Sequence, residues 1–319
     1  MTSASRPPDR LPTVFGALFD RPYLLLSLTS LFWAGNAIFG RNAAGLIPPI
    51  ALSFLRWSVA FMILLPFGWR HLRTDWPAIK ARLGFMLVLS ATGIGAFNTL
   101  QYSALEYTTA LNVLLLQSSM PLIVALWSLL LLGVRLSVAQ GIAITLSMAG
   151  VALILLKGDL AALGTIDLNR GDIIFTIALV VFGYYSTLSI RRPKIHPLSF
   201  LAFTFGCGAL SVLPFLLWEL HARPPLSINA VTLTTIAYVA IFPSILAYLC
   251  YNRGVLMVGP NRAAPFFHLV PVFGSAMAIA FLGERPGWYH IIGYAMVLTG
   301  VVVAARKPRT DTPEPISGH

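Results

Sequence analysis

Residues 110–157 read ALNVLLLQSSMPLIVALWSLLLLGVRLSVAQGIAITLSMAGVALILLK, and residues 260–307 read PNRAAPFFHLVPVFGSAMAIAFLGERPGWYHIIGYAMVLTGVVVAARK. Pro121, Gly133, Arg135, Gly150 and Lys157 of the first stretch return as Pro271, Gly283, Arg285, Gly300 and Lys307 of the second, at one constant spacing of 150. Matches of glycine, proline and arginine at a single offset mark an internal duplication. Each copy reads as two apolar helices joined by a Gly-x-Arg link, the first interrupted by proline. A proline inside a helix removes one N–H and pushes away the carbonyl four residues back, that of Gln117 in one copy and of Phe267 in the other. In hydrocarbon a freed carbonyl has to be satisfied by protein or by a wet cavity. Broken helices at equivalent places in two halves point to a central solute site.

Working outward, the chain is a membrane protein: 57% of its 319 residues are hydrophobic and 10% charged, with mean hydropathy +0.79. Ten apolar runs, at 22–40, 48–69, 84–104, 110–132, 138–156, 172–190, 198–218, 229–251, 263–282 and 288–305, are each of a length to span a core of roughly 30 Å. The net charge of +11 does not indicate nucleic acid, because the cations are dispersed over short loops. Sixteen of the 22 Lys and Arg fall on the side that holds both termini, five fall on the other, and Arg56 lies within a span. The positive-inside rule therefore places both ends in the cytoplasm. Cys207 and Cys250 read as small core residues, and the sequence shows no metal-ligand spacing and no cofactor motif.

The organisation that follows is a cytoplasmic tail at 1–21, a five-helix repeat at 22–157, a linker at 158–171, a second repeat at 172–306 and a disordered cytoplasmic tail at 307–319. The offset also pairs Phe32 with Phe182, Arg41 with Arg191, Leu83 with Leu233 and Val151 with Val301. An odd number of spans per repeat inverts the second half. The fold expected is all-α, ten transmembrane helices as two inverted-topology five-helix repeats around a central cavity, in a monomer. Residues 71–82 read as a basic loop, an interfacial segment being the alternative.

Polar groups inside spans are where function is sought. Trp33 and Asn36 share a face of the first helix; Asn98, Gln101 and Tyr102 lie on the third; Gln117 and Ser118 precede Pro121 on the fourth. Their counterparts keep polar faces: Asn36 maps to Ser186, Asn98 to Tyr248, Tyr102 to Asn252, Ser118 to His268 and Ala125 to Ser275. These residues, with Tyr184, Tyr185, Tyr251 and Phe267, are the candidate lining of a cavity among helices 1, 3, 4, 6, 8 and 9; ordinary packing of small and amide residues is the alternative. Gly93, Gly95, Pro121, Pro243 and Pro271 are the candidate hinges. Arg56 is taken as a structural charge that clasps carbonyls, and binding of a substrate carboxylate is the other reading. His268 is read as a neutral hydrogen-bonded side chain, with proton carrying as the alternative.

All eleven carboxylates fall in tails, loops or span ends. The expectation is thus facilitated movement of a small solute, or weak proton coupling through His268 alone. An intramembrane enzyme is disfavoured, since His268 and Ser275 would stand roughly 10 Å apart along a helix. No Walker motif is present for use of ATP.

LFWAGN at 31–36 with Arg41 after it, PPIALSFLRW at 48–57, the two Pro-to-Gly spacings, LGERP at 282–286 and the Gly300 helix resemble the drug/metabolite transporter superfamily, specifically its ten-helix EamA-type exporters. The resemblance covers about 22–306 and implies export of small metabolites through two inverted repeats in the inner, cytoplasmic membrane. Within the superfamily the aromatic and amide set is similar to aromatic amino-acid exporters of the YddG type, which makes amino acids the leading substrate; a proton-coupled multidrug exporter, or an exporter of sugars or nucleosides, is the alternative. One departure stands out: the first link reads Gly133-Val134-Arg135, where family copies often carry Gly-Glu-Arg.

Overall fold

The computed structural model describes residues 19–43, 46–108, 110–159, 161, 164, 169–222, 226, 228–282 and 287–306, with the backbone alone at a few helical positions. Residues 1–18 and 307–319 of the expected tails, half of the linker, and Gly283, Glu284 and Arg285 of the second link lie outside the described residues, as does the Arg41 side chain. Among the described residues there is no strand. They form ten consecutive helical segments: α1 (Pro22–Ala43), α2 (Pro49–Ala81), α3 (Leu83–Ala104), α4 (Ala110–Gln117, then Met120–Leu132), α5 (Val138–Leu155), α6 (Arg170–Arg191), α7 (Pro197–Ala222), α8 (Ala230–Val258), α9 (260–282) and α10 (Trp288–Ala305). Seven of these, α2, α3, α5, α6, α7, α8 and α10, are long and apolar enough to cross a membrane.

Packing follows the duplication. α2 lies along α7 and α5 along α10, while the contacts of α1 with α8 and α9 mirror those of α6 with α3 and α4. At the α5–α10 crossing the backbones nearly touch: a Cβ on Gly150 would stand 2.9 Å from the Gly293 carbonyl, and one on Gly300 only 2.4 Å from that of Ala143. Small residues at such a crossing let two helices approach closely in lipid. Both ends of the helical bundle's chain meet on one side, where the Tyr23 hydroxyl donates to the Ala305 carbonyl at 2.7 Å.

α2 corrects the expectation of a loop at 71–82. It runs unbroken for 33 residues, with Pro66 and Pro77 inside it. The extension carries Asp75 to the start of α7, where Oδ2 accepts from the His196 N–H at 2.9 Å and from Ser199 Oγ at 2.6 Å. The favour is returned at the opposite end of the pair. Glu219, buried near the end of α7, accepts from the N–H groups of Ile50 and Ala51 at 3.1 and 2.7 Å, at the first turn of α2. Free N–H groups and the positive end of the helix dipole make a carboxylate stabilising at both places.

The proline faults are present, but not as mid-helix kinks. α4 stops at Gln117, turns through Ser118 and Ser119, and restarts with Pro121 in its first turn, where a missing N–H removes nothing. α9 tightens into a 3-10 helix over Ala264–His268 before Pro271. A second pair of faults falls at the hinge candidates Gly93, Gly95 and Pro243 and takes a form the sequence does not announce. α3 widens into a π-helix over Ala91–Ala96 and α8 over Ile241–Leu246, once more 150 residues apart. Wide turns of this kind leave carbonyls open to partners and recur at functional sites.

Candidate functional site

The centre of the bundle is organised by Arg56. Its side chain is 1% exposed. Nε donates to Ser244 Oγ at 2.6 Å and Nη2 to the Pro243 carbonyl at 3.0 Å, both on the wide turn of α8. Nη1 reaches Asn98 Oδ1 at 2.9 Å, the Tyr102 hydroxyl at 2.8 Å and Asn36 Oδ1 at 3.4 Å. The guanidinium also stacks near the Trp57 ring, 4.7 Å from its centroid. Every one of these partners is uncharged, so among the described residues a full positive charge is buried without a counter-ion. Dipoles alone offset part of its desolvation, which for a buried ion amounts to several kcal/mol.

Against this knot stands a cage of rings. Trp33 lies 5.1 Å from Phe267 and 5.2 Å from Tyr251 between centroids, with Phe182 and Tyr248 at 5.9 and 6.1 Å. Trp33 Nε1 donates to the Pro243 carbonyl at 3.1 Å, and the Tyr248 hydroxyl to the Gly93 carbonyl at 2.7 Å. Each wide turn thus has its open carbonyl held from the other half of the molecule. Tyr185 donates to Asn252 Oδ1 at 3.0 Å and Tyr251 pairs with Ser186 Oγ at 2.5 Å, so both hydroxyls are tied to neighbouring helices.

Two cavities flank Tyr248. The central one, bounded by Trp33, Asn36, Arg56, Asn98, Gln101 and Phe267, holds about 20 Å³. The larger, of about 320 Å³, lies between the α6–α7 connection and α8, on the side of the chain ends. Among the described residues the central void is small, because the rings of the cage pack into one another. Its walls differ from the expected set: they come from α1, α2, α3, α8 and α9, and neither α4 nor α6 lines it.

The expected residues divide accordingly. Trp33, Asn36, Asn98, Gln101, Tyr102, Tyr248, Tyr251 and Phe267 converge on the centre, and Tyr185 and Asn252 sit one layer towards the larger cavity. Gln117, Ser118, His268 and Ser275 line neither cavity. His268 Nε2 instead meets the Ser118 carbonyl at 2.7 Å, tying the break in α9 to the break in α4 at positions related by the duplication. Ser275 bonds back to the Pro271 carbonyl at 2.7 Å and approaches the Tyr294 hydroxyl, and Tyr184 packs on Trp127. Arg56 makes the carbonyl contact expected of it, yet it is also the charge of the site. Ser244, Phe97 and Phe182 were missed; the hinge candidates Gly93, Gly95 and Pro243 fall in the two wide turns, and Pro243 stands beside Ser244.

A helical bundle with a duplicated frame, broken helices and a buried charge between its halves is a multi-pass membrane transporter. The EamA-like transporter family matches the chain twice, over residues 21–156 and 169–306. The chain belongs to that family. An uncharacterized transporter of Archaeoglobus fulgidus is 28% identical over 90% of this chain and 98% of its own length. A probable terminal-alkyne amino-acid exporter of Streptantibioticus cattleyicolor is 24% identical over 88% of this chain and 92% of its own. A solved crystal structure with 21% identity superposes with TM-score 0.69, covering 89% of this chain and 96% of that one, which shows the shared fold.

Proposed function

We propose that the protein exports amino acids with aromatic or apolar side chains across the inner membrane, by alternating access and without strong proton coupling. The observation that carries this reading is Arg56, a buried guanidinium with uncharged partners beside a cage of rings. A carboxylate supplies the missing charge, while the ring set favours a flat apolar side chain. Asn36, Asn98 and Gln101 have the donors and acceptors to orient the rest of the solute. The relative named as a probable amino-acid exporter supports the same solute class.

Opening is needed, since about 20 Å³ holds no more than a single water. Gly93, Gly95, Pro121, Pro243 and Pro271 lie in or beside the non-α turns, where rearrangement breaks the fewest regular backbone bonds. Absence of coupling is argued from the acids: the buried Asp172 and Glu219 are engaged at helix starts, Asp172 with Thr108 and the Asn169 N–H, Glu219 with the start of α2. Orientation with both ends in the cytoplasm, and a monomer, complete the reading.

Proteoliposomes loaded with labelled phenylalanine, glucose and uridine test it. Release of phenylalanine alone, at a rate little changed by an imposed pH gradient, is expected. Release of the sugar or the nucleoside in preference overturns the substrate class, and a pH-gradient stimulation that survives His268→Ala overturns the uncoupled mechanism.

A further inference from the structure

We propose that the larger cavity is a recruiting vestibule in which Arg192 takes the carboxylate of the solute before Tyr248 admits it to Arg56. The inference rests on the carboxylate reading given above and adds a second anion site to it.

Local geometry turns Arg192 inward. The 3-10 turn Ser189–Arg191 ends α6, and Pro193 holds the residue before it in an extended conformation, φ −59° and ψ 154°. Neighbouring arginines part company there. Arg191 is exposed and caps the end of α4 through the Leu131 carbonyl at 2.7 Å, whereas Arg192 is only 9% exposed and lies over the Phe200 ring at 4.2 Å. A loop arginine serving only to fix orientation would keep its head in solvent. Arg192 instead borders the cavity, and its buried Nη1 has no hydrogen-bond partner among the described residues. Leaving a charged donor unsatisfied is costly, and an anion in the cavity removes that cost.

The surrounding charges act in the same sense. Lys194, exposed, and Arg253 also border the cavity. Asp20 pairs with Arg253 at 2.8 Å, and Asp75 accepts from the His196 N–H and Ser199 Oγ. That leaves the Arg192 and Lys194 charges without an opposing carboxylate among the described residues. Burial brings the Arg192 pKa down to about 10, opposed by Tyr185 and aided to a lesser degree by Arg253, so it stays cationic at neutral pH. The Asn252 amide is engaged by Tyr185 and by the Tyr248 carbonyl and does not compete. About 320 Å³ is at the lower end of small-molecule sites and suffices for an amino acid. Tyr248 borders both cavities, so the same side chain adjoins the station of each guanidinium.

The test is calorimetric titration of the full chain in nanodiscs with sodium benzoate against benzamide. Wild type is expected to bind benzoate and not benzamide, Arg192→Gln to bind benzoate ~10-fold more weakly, and Arg192→Lys to recover most of the loss. Equal benzoate affinity in wild type and Arg192→Gln overturns the proposal, as does failure of wild type to bind. Adding phosphatidylglycerol separates the sources of the anion: if it suppresses benzoate binding in wild type and not in Arg192→Gln, the occupant is a lipid headgroup and solute recruitment is wrong. Phenylalanine transport distinguishes this claim from the one before. A rise in KM without loss of maximal rate in Arg192→Gln is expected; unchanged KM refutes the vestibule alone, whereas no phenylalanine transport by a wild type that still binds benzoate refutes the substrate reading alone.

Discussion

The wide turns of α3 and α8 sit at the same register in the two repeats, yet their open carbonyls are held in different ways. That of Gly93 is held by the Tyr248 hydroxyl, whereas that of Pro243 takes both Trp33 Nε1 and Arg56 Nη2. The residues equivalent to Trp33 and Arg56 in the second repeat are Gly183 and Gly206. Both glycines are filled from outside: a Cβ on Gly183 would stand 2.7 Å from Ile123, and one on Gly206 3.0 Å from Phe61. Duplication thus supplies a symmetric frame with two wide turns, and only one copy carries large side chains at the positions of Trp33 and Arg56, the other giving that space to Ile123 and Phe61. The site is built from what breaks the symmetry.

Substituting Arg56 breaks this comparison most severely. Arg56→Gln leaves the acceptors of the wide turn and of α3 unsatisfied, and a loss of roughly 2–4 kcal/mol in unfolding free energy is expected together with loss of phenylalanine transport. Arg56→Lys keeps the charge without the fork, so it should restore stability better than transport; a Lys variant with full transport would mean that the charge alone suffices. Next comes the contrast between Tyr248→Phe and Trp33→Phe. The first strips the Gly93 carbonyl of its side-chain donor and should cost about 1–2 kcal/mol, while the second leaves Arg56 on Pro243 and should cost about half as much. Thermal unfolding in detergent that ranks them the other way would show the two turns to be held alike.

Much of the frame was legible. Proline, glycine and arginine at constant spacing are visible because lipid tolerates so few ways to break a helix, and the aromatic and amide residues near 33, 98 and 248 stood out against an apolar background. What escaped is what depends on backbone carbonyls. Gly93, Gly95 and Pro243 mark weak points on α3 and α8, but nothing in them announces a wider turn, and the role of Ser244 follows from the one at 241–246. Gln117, Ser118 and His268 were drawn into the site by their place on broken helices, whereas the break is sealed locally by His268 on the Ser118 carbonyl. The extent of α2 was misjudged because its last turns are basic and polar, although Asp75 within them has a partner helix to reach.

The reciprocal caps on α2 and α7 extend the contrast at smaller scale. Glu219 is buried and Asp75 half-exposed, so Glu219→Gln should cost about 1–2 kcal/mol and Asp75→Asn about 0.5 kcal/mol by chemical denaturation. Equal losses would indicate that burial does not set the value of the cap. The smallest effect concerns pH. His196 stacks on His71 with centroids 3.7 Å apart, and burial, followed by the His71 charge, holds its pKa below the usual histidine value against the pull of Asp75. A lowered folded-state pKa means that this contribution is complete above the unfolded value and is lost as pH falls through the folded one. Wild type should therefore lose a little stability on acidification that His196→Gln does not, and identical acid limbs would exclude the pair as the cause.

A turn with one residue to spare also fixes where everything beyond it points. Re-winding 91–96 as an ordinary helix with every residue kept would swing the later portion of α3 by about 100°, carrying Asn98 and Tyr102 away from the guanidinium that they hold. The surplus residue acts as an adjusting shim: moved along the helix by one step rather than removed, it would rotate the walls of the passage without bending the rod.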